Sequence, residues 1–168
     1  MWYNCYEKNS NNKEGLTLDK LPPIEKIYEA YSAVADNRVI LHEDHASVLS
    51  SDRSKEYDII WDRNIYASND NATYWQGYAG YPIIAVLMKQ GKLPLDMGIA
   101  SRFAGINWTE LNAKYKRNYG KAVAEVLDGL GCDNDEKEAI LVEIHHVYEE
   151  VKTLDIQIKR GAPYRSKK

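Results

Sequence analysis

The apolar residues of the first half of the chain change from helical to strand-like spacing. After Pro22 and Pro23, apolar side chains recur every three or four positions, at Ile24, Ile27, Tyr28, Tyr31 and Val34. This spacing predicts a helix that ends near Asp36. From residue 38 to residue 68, short alternating segments are separated by polar turns. The sequence therefore predicts an antiparallel meander of three or four short strands.

The second half of the chain is helical in pattern. Pro82 precedes an apolar run over 83–88, which predicts a buried helix that covers one face of the meander. Three further helices are predicted, from Pro94 to Ala104, from Asn107 to Gly129 and from Asp133 to about Leu154. Asn107 and Asp133 each precede a glutamate by three positions, the spacing of a capping box.

These elements predict an α+β fold: an N-terminal helix, the meander under its buried helix, and a C-terminal cluster of about three helices. We expect a flexible arm over residues 1–20 and a single domain over 21–154. Within that domain, the meander part is 38–68 and the helical part is 82–154. Residues 155–168 form a predicted basic tail, because the last ten residues carry five basic side chains and no acid.

Charge and cysteine content restrict the class of protein. The formal net charge of −3 argues against a surface devoted to nucleic acid. Cys5 and Cys132 lie far apart, which argues against a disulfide framework or a cysteine-based zinc site. The first residues lack the apolar segment of a secretory signal, and the longest apolar run has six residues. We therefore expect a cytoplasmic protein without a membrane partner.

Aromatic residues are concentrated in one segment of the chain, between Tyr57 and Tyr81. The chain has thirteen tyrosines and four tryptophans but a single phenylalanine, and seven of these rings fall between Tyr57 and Tyr81. Residues 69–80 form a predicted loop that carries Tyr74, Trp75 and Tyr78 among amides and glycines. Such rings suit stacking against a partner. The alternative is a loop folded onto its own rings to shield the edge of the sheet.

The segment SSDRSKEYDIIWDRNIYASND, a loop, and then GYPIIAVLM resembles the SWIM-type zinc finger over residues 24–92. The resemblance implies a ββα module whose ligands follow a Cys-x-Cys, spacer, Cys-x-His pattern. This chain departs from that pattern, with Tyr66-Ala67-Ser68 and Gly80-Tyr81-Pro82 at the ligand positions. The resemblance thus implies a metal-free module that binds protein or nucleic acid, with Tyr66 and Tyr81 where the finger holds its metal.

Few residues suggest catalysis or metal binding. Asp70 is the candidate general base, since a carboxylate among aromatic rings would have a raised pKa, although aspartate at this place is also a common turn residue. His42 and His45 flank a tight turn and are the candidate metal ligands, with an ordinary polar turn as the alternative.

A basic stretch, KYKRNYGK, lies within the predicted helix 107–129. Lys116 and Arg117 belong to it and are candidate contacts to phosphates, and Lys114, Arg117 and Lys121 would share one helix face. The alternative is a solvated face that pairs with the acidic stretch after Asp133.

The sequence therefore predicts a binding module that needs no cofactor and uses loop 69–80 to bind protein or nucleic acid. Its predicted binding residues are Tyr66, Tyr74, Trp75, Tyr78, Tyr81, Lys116 and Arg117. Two alternatives remain. One is a small enzyme with a pocket at the same loop and Asp70 as base. The other is a structural protein whose exposed helices over 94–154 form a homodimer.

Overall fold

A computed structural model describes residues 18–160 of the chain. Most of the predicted arm, residues 1–17, lies outside the described residues, and so do residues 161–168 of the predicted tail. The described part contains a mixed sheet and a set of helices, which confirms the predicted α+β class.

The sheet has five strands in the order β1-β2-β3-β4-β5. Their bounds are Val39–Leu41 (β1), His45–Leu49 (β2), Glu56–Asp62 (β3), Ile65–Ser68 (β4) and Gln157–Lys159 (β5). The first four form the predicted antiparallel meander, in a register that pairs Val48 with Tyr57 and Trp61 with Tyr66. Ala46, Val48, Ile59 and Tyr66 are buried, as alternating inward positions require.

Strand β5 was not predicted. It runs parallel to β4, with Tyr66 opposite Ile158, and it lies within the segment expected to be a basic tail. A three-residue strand with one half-buried position between two exposed ones has too little periodicity to stand out in the sequence. The part of residues 155–168 that the structure describes is therefore partly a sheet edge.

Two helices supply most of the core over the sheet. Helix α1 (Glu25–Ala35) and helix α2 (Tyr81–Lys89) pack on each other, and α2 contacts β1, β3 and β4. Every side chain from Pro82 to Met88 is buried, as expected of a helix with almost no polar face. The prediction that this helix covers the meander is confirmed.

The remaining helices are α3 (Met97–Ala100), α4 (Trp108–Lys114), α5 (Tyr119–Gly129) and α6 (Asn134–Thr153), with a 3₁₀ turn over Ser101–Phe103. The prediction of one helix over 107–129 is wrong. Lys116 and Arg117 have φ of 50° and 66°, which ends α4, and the Asn118 side chain accepts from the backbone N–H of Lys121 to begin α5. The basic stretch is therefore not a single helix face.

The predicted capping box of helix α6 is present. The Asp133 side chain accepts from the Glu136 N–H at 2.8 Å, and the Glu136 side chain accepts from the Asp133 N–H at 3.0 Å. We expect Asp133→Ala to lower the free energy of unfolding by about 1 kcal/mol, because an orphan N–H of the first turn loses its acceptor. Urea unfolding followed by circular dichroism measures this change.

Asp135→Ala is the matched control, because it removes an acid from the same helical turn without touching the cap. We expect a change below about 0.5 kcal/mol for this exposed residue. Equal losses in the two variants would mean that the charge near the helix terminus, and not the cap, stabilises α6.

Candidate functional site

Loop 69–80 is an ordered turn and not a free segment. It contains a π-helical turn over Ala72–Gln76, followed by Gly77 with φ of 75°. The Asp70 Oδ1 atom accepts from the Thr73 N–H at 3.1 Å, and the Thr73 hydroxyl oxygen accepts from the Gly80 N–H at 3.1 Å. Because Thr73 is fully buried, these bonds fix both ends of the loop on the core.

The three aromatic side chains of the loop lie in different surroundings. Trp75 is 65% exposed and packs edge to face on Tyr74, with ring centroids 4.6 Å apart. Tyr78 is buried, and the Lys20 ammonium lies 5.5 Å from the centre of its ring. The Tyr78 ring therefore contributes to the core, whereas the Trp75 ring stays open to solvent.

Two cations satisfy the carbonyls at the end of the π-helical turn. The Lys20 ammonium donates to the Gln76 carbonyl at 3.1 Å, and the Arg160 guanidinium donates to the Trp75 carbonyl. Residues from distant parts of the chain thus hold the outer end of the loop, as cations commonly do at a helix C-terminus.

A pocket of about 690 Å³ lies between loop 69–80, helix α1, strand β3 and the α4–α5 segment. We call it the loop pocket. Its walls carry charged, amide, hydroxyl and aromatic side chains; the residues are Lys26, Glu29, Arg38, Ser50, Ser51, Tyr57, Asp70, Asn71, Ala72, Trp75, Gln76, Tyr78, Tyr81, Trp108, Thr109, Asn112, Arg117 and Tyr119. Its volume lies in the range typical of pockets for small organic ligands.

One wall of the loop pocket is a buried ion pair. The Lys26 ammonium lies 2.8 Å from the Glu29 carboxylate, which also accepts from the Asn112 amide. The Lys26 ammonium sits over the Tyr119 ring, 3.8 Å from its centre. Burial acts to lower the pKa of Lys26, but the charge and hydrogen bond of Glu29 outweigh it, and the pKa is raised overall. The Glu29 carboxylate therefore favours the charged form of the buried Lys26 ammonium.

Arg38 is the largest fully buried side chain in the described part of the chain. Its Nη1 atom donates to the Leu49 carbonyl at 2.8 Å, and its Nε atom lies 3.4 Å from the Asp36 carboxylate. Its Nη2 atom is buried without a hydrogen-bond partner. The fold therefore holds the guanidinium rigidly and leaves one edge of it unused.

Only one of the two carboxylate oxygens of Asp70 accepts a hydrogen bond. Its Oδ1 atom caps the turn through Thr73, whereas its Oδ2 atom is buried and has no hydrogen-bond partner. Gly80 makes room for this carboxylate, because a Cβ at Gly80 would lie 2.2 Å from Oδ1. Asp70 is thus both a turn residue and a carboxylate with a free oxygen.

The indole Nε1 atom of Trp108 is also buried without a hydrogen-bond partner. Among residues 18–160, three buried side-chain polar atoms lack a hydrogen-bond partner: Arg38 Nη2, Asp70 Oδ2 and Trp108 Nε1. All three residues line the loop pocket. Buried polar atoms without partners are uncommon in folded proteins and call for a specific explanation.

Burial also affects the tyrosine hydroxyls. It is the main cause that raises the pKa of Tyr28 to about 12, with the nearby Glu25 carboxylate as the second. Burial and Tyr57 raise the pKa of Tyr81, against the opposing effect of Arg38. A tyrosine whose pKa is raised on folding stabilises the folded state fully below pH 10, and this contribution is lost as the pH rises toward 12.

We therefore expect the tyrosine absorbance at 295 nm to titrate in two phases in the folded protein. The buried hydroxyls ionise only when alkali unfolds the chain, whereas the protein in urea shows a single phase near the ordinary tyrosine pKa of about 10. Tyr28→Phe should shift the alkaline unfolding to higher pH, and Tyr148→Phe, which removes a half-buried hydroxyl that donates to the Pro22 carbonyl, serves as control. A single phase in the folded protein would contradict the expected burial.

The structure brings five of the sequence-predicted site residues to the loop pocket, namely Asp70, Trp75, Tyr78, Tyr81 and Arg117. The others do not line it. Tyr74 packs on Trp75, and Lys116 is exposed in the turn between α4 and α5. Tyr66 is fully buried in β4, where its hydroxyl donates to Gln90 and accepts from Lys92, each at 2.8 Å.

The candidate metal ligands lie elsewhere, at the β1–β2 turn. The rings of His42 and His45 are stacked, with centroids 4.4 Å apart and planes within 15°, and His45 Nδ1 lies 2.6 Å from Asp44. Imidazole lone pairs lie in the plane of the ring, so stacked rings do not converge on one ion. Residues 18–160 contain no group of three or more His, Cys, Asp or Glu side chains suited to a metal.

Several residues of the loop pocket were not identified from the sequence, above all Lys26, Glu29, Arg38 and Trp108. Lys26 and Glu29 are three positions apart on a helix that also carries the predicted apolar stripe, and this spacing permits an ion pair. Nothing in the sequence indicates that the pair is buried. Arg38 and Trp108 each stand beside a predicted element boundary, where the sequence gives no signal of burial.

A comparison with protein families identifies the family of this chain. A family model described as uncharacterised conserved protein UCP014422 matches residues 19–157, which include all elements from α1 to α6 and every lining residue of the loop pocket. No curated protein and no solved structure matches the chain. In the part that the structure describes, no helix is both long and apolar enough to span a membrane. The chain belongs to the family of the uncharacterised conserved protein UCP014422.

Proposed function

We propose that the protein binds a small charged organic molecule in the loop pocket. The observation that carries this proposal is that Arg38, Asp70 and Trp108, which each have a buried polar atom without a hydrogen-bond partner, all line this one pocket. A buried polar atom without a partner costs about 1–3 kcal/mol, and more when the group is charged. A ligand that pairs with these atoms would remove that cost.

The chemistry of the pocket walls supports a small polar ligand. The free atoms of Arg38 and Trp108 are hydrogen-bond donors and that of Asp70 is an acceptor. Trp75 and Tyr78 add aromatic surface beside them, and Asn71 and Gln76 add amides. Pockets with apolar surface and a few fixed polar groups are typical of small-molecule sites.

Substitution of Trp108 tests the proposal with little change in shape. Trp108→Phe keeps an aromatic ring but removes the Nε1 donor. Trp61→Phe is the matched control, because Trp61 is half-buried and does not line the pocket. The probes are inorganic phosphate, 3-phenylpropanoate, 2-phenylethylamine and the standard amino acids, each titrated against the tryptophan fluorescence of the full chain.

We expect saturable binding of at least one probe, and a roughly tenfold loss of affinity in Trp108→Phe, since one hydrogen bond to a charged group contributes about 1.5–3 kcal/mol. Trp61→Phe should bind as the unchanged protein does. Failure of every probe to bind, or equal affinity in Trp108→Phe, would overturn the proposal.

A second candidate function uses the same pocket for catalysis, with Asp70 as general base. The free Oδ2 atom of Asp70 favours it, because a base needs an oxygen that can accept a proton. Asp70→Asn separates this role from the turn, since asparagine keeps an acceptor for the Thr73 N–H. If Asp70 is a general base, the Asp70→Asn variant should no longer convert a bound probe to product. Its melting temperature should equal that of the unchanged protein.

Binding of a protein or nucleic acid through loop 69–80 stays a prediction of the sequence. The exposed Trp75, together with Tyr74, is the surface that such a partner would contact. Titration with single-stranded DNA and RNA at increasing salt tests the nucleic-acid form. Affinity that is unchanged by Tyr74→Ala and Trp75→Ala would exclude a role for these rings.

A further inference from the structure

The loop pocket carries opposite charges on separate residues. Asp70 is 4% exposed and forms no ion pair among the described residues. Arg38 is 1% exposed, and the guanidinium nitrogen Nη2 has no partner. Lys26 and Glu29 neutralise each other at 2.8 Å. One anionic group and one donor edge thus remain uncompensated in the same pocket.

The acidic group stands among tyrosine rings. Tyr57, Tyr78 and Tyr81 line the pocket with Asp70, and the rings of Tyr57 and Tyr81 pack edge to face at 6.3 Å. The pKa of Tyr57 is raised first by burial and next by the charge of Asp70, so the carboxylate acts on this wall. Aromatic faces attract organic ammonium groups, and a nearby carboxylate adds charge complementarity.

The donor groups of Arg38 and Trp108 favour an acid group on the ligand. Arg38 Nη2 and Trp108 Nε1 are both N–H donors, and the Arg117 side chain adds a further cation to the lining. Guanidinium and indole N–H groups bind carboxylate and phosphate oxygens well. A simple anion bound here would leave Asp70 without a countercharge, and a simple amine would leave Arg38 Nη2 without a hydrogen-bond partner. A molecule with both groups would satisfy both.

From this arrangement, and resting on the proposed function, we propose that the ligand is a zwitterion of the amino acid class. Its ammonium group pairs with Asp70 among Tyr57, Tyr78 and Tyr81, and its acid group pairs with Arg38 and Trp108. The remaining volume of the loop pocket and the Trp75 ring at its edge accommodate the side chain of such a ligand.

The test compares molecules that differ only in these two groups. The standard amino acid that binds the full chain most tightly is compared with its decarboxylated amine and its deaminated acid by calorimetric titration. For phenylalanine these analogues are 2-phenylethylamine and 3-phenylpropanoate. We expect the zwitterion to bind roughly tenfold or more tightly than either analogue, because each analogue loses one charge-assisted pairing.

Two variants test which pocket residue binds the ammonium group of the ligand and which binds its acid group. Asp70→Asn should lower the affinity for the zwitterion to that for the deaminated acid, and it should leave the affinity for the acid unchanged or higher. Trp108→Phe should lower the affinity for the zwitterion and for the deaminated acid, but it should leave the affinity for the amine unchanged. Asp62→Asn, at an exposed strand end, is the matched control and should leave all affinities unchanged.

The outcomes separate the two proposals. If the deaminated acid binds as tightly as the zwitterion, or if Asp70→Asn keeps full affinity for the zwitterion, the inference is overturned while the proposed function stands. If inorganic phosphate binds and no amino acid does, the inference is overturned in the same way. If no probe binds, both proposals fail.

Discussion

Arg38→Ala is expected to lower the free energy of unfolding by about 3–5 kcal/mol, the range for breaking a buried charged pairing by removal of one partner. The variant deletes the largest side chain that is fully buried within residues 18–160, and it leaves the Leu49 carbonyl and the Asp36 carboxylate without the guanidinium. The cavity that remains adds to this loss. Equilibrium urea unfolding of the full chain, followed by circular dichroism, measures the change.

Arg102→Ala is the matched control for Arg38→Ala. Arg102 pairs with Glu136 at 2.7 Å, but both side chains are more than 40% exposed. Exposed ion pairs contribute about 0–1 kcal/mol, so this variant should unfold at nearly the same urea concentration as the unchanged protein. A similar small loss for Arg38→Ala would contradict the burial and the fixed position of its guanidinium.

The second large effect is expected from the smallest possible change, Gly80→Ala. The added methyl group would lie 2.2 Å from Asp70 Oδ1 and 2.9 Å from its Cγ atom. Asp70 is short, buried and bonded to Thr73, so the carboxylate has to leave its position. We expect a loss of about 3 kcal/mol in the free energy of unfolding. Ligand binding in the loop pocket should be lost as well.

Gly129→Ala provides the control for this substitution. A Cβ at Gly129 meets no atom within 4 Å, and its φ lies outside the left-handed region. In a helix, alanine is favoured over glycine by up to about 1 kcal/mol, so this variant should be unchanged or more stable. If Gly80→Ala were equally well tolerated, the tight fit around Asp70 would be wrong.

The sequence predicted the elements whose pattern is regular. Helix α1, the four strands of the meander and helix α2 follow from their spacing of apolar residues, because each element buries one face. Helices α4 and α5 were merged, because Lys116 and Arg117 carry side chains that rarely adopt positive φ. Strand β5 was missed because its three residues gain their structure from β4 and not from local preference.

The candidate site was predicted only where its residues cluster in sequence. Loop 69–80 stood out through its rings, and Asp70 through its position among them. Arg38 and Trp108 reach the same pocket from separate parts of the chain, since Arg38 precedes the meander and Trp108 follows helix α2. Such a meeting depends on tertiary packing, for which neither composition nor spacing carries a signal.

The parallel pairing of β4 with β5 has a consequence for the order of folding. The meander closes through short hairpins, whereas β5 and Arg160 reach strand β4 and the Trp75 carbonyl from the far end of the described chain. Contacts between distant segments carry the larger loop-closure cost and form late. During synthesis, the outer side of β4 and the Trp75 carbonyl therefore lack these contacts until β5 and Arg160 have left the ribosome.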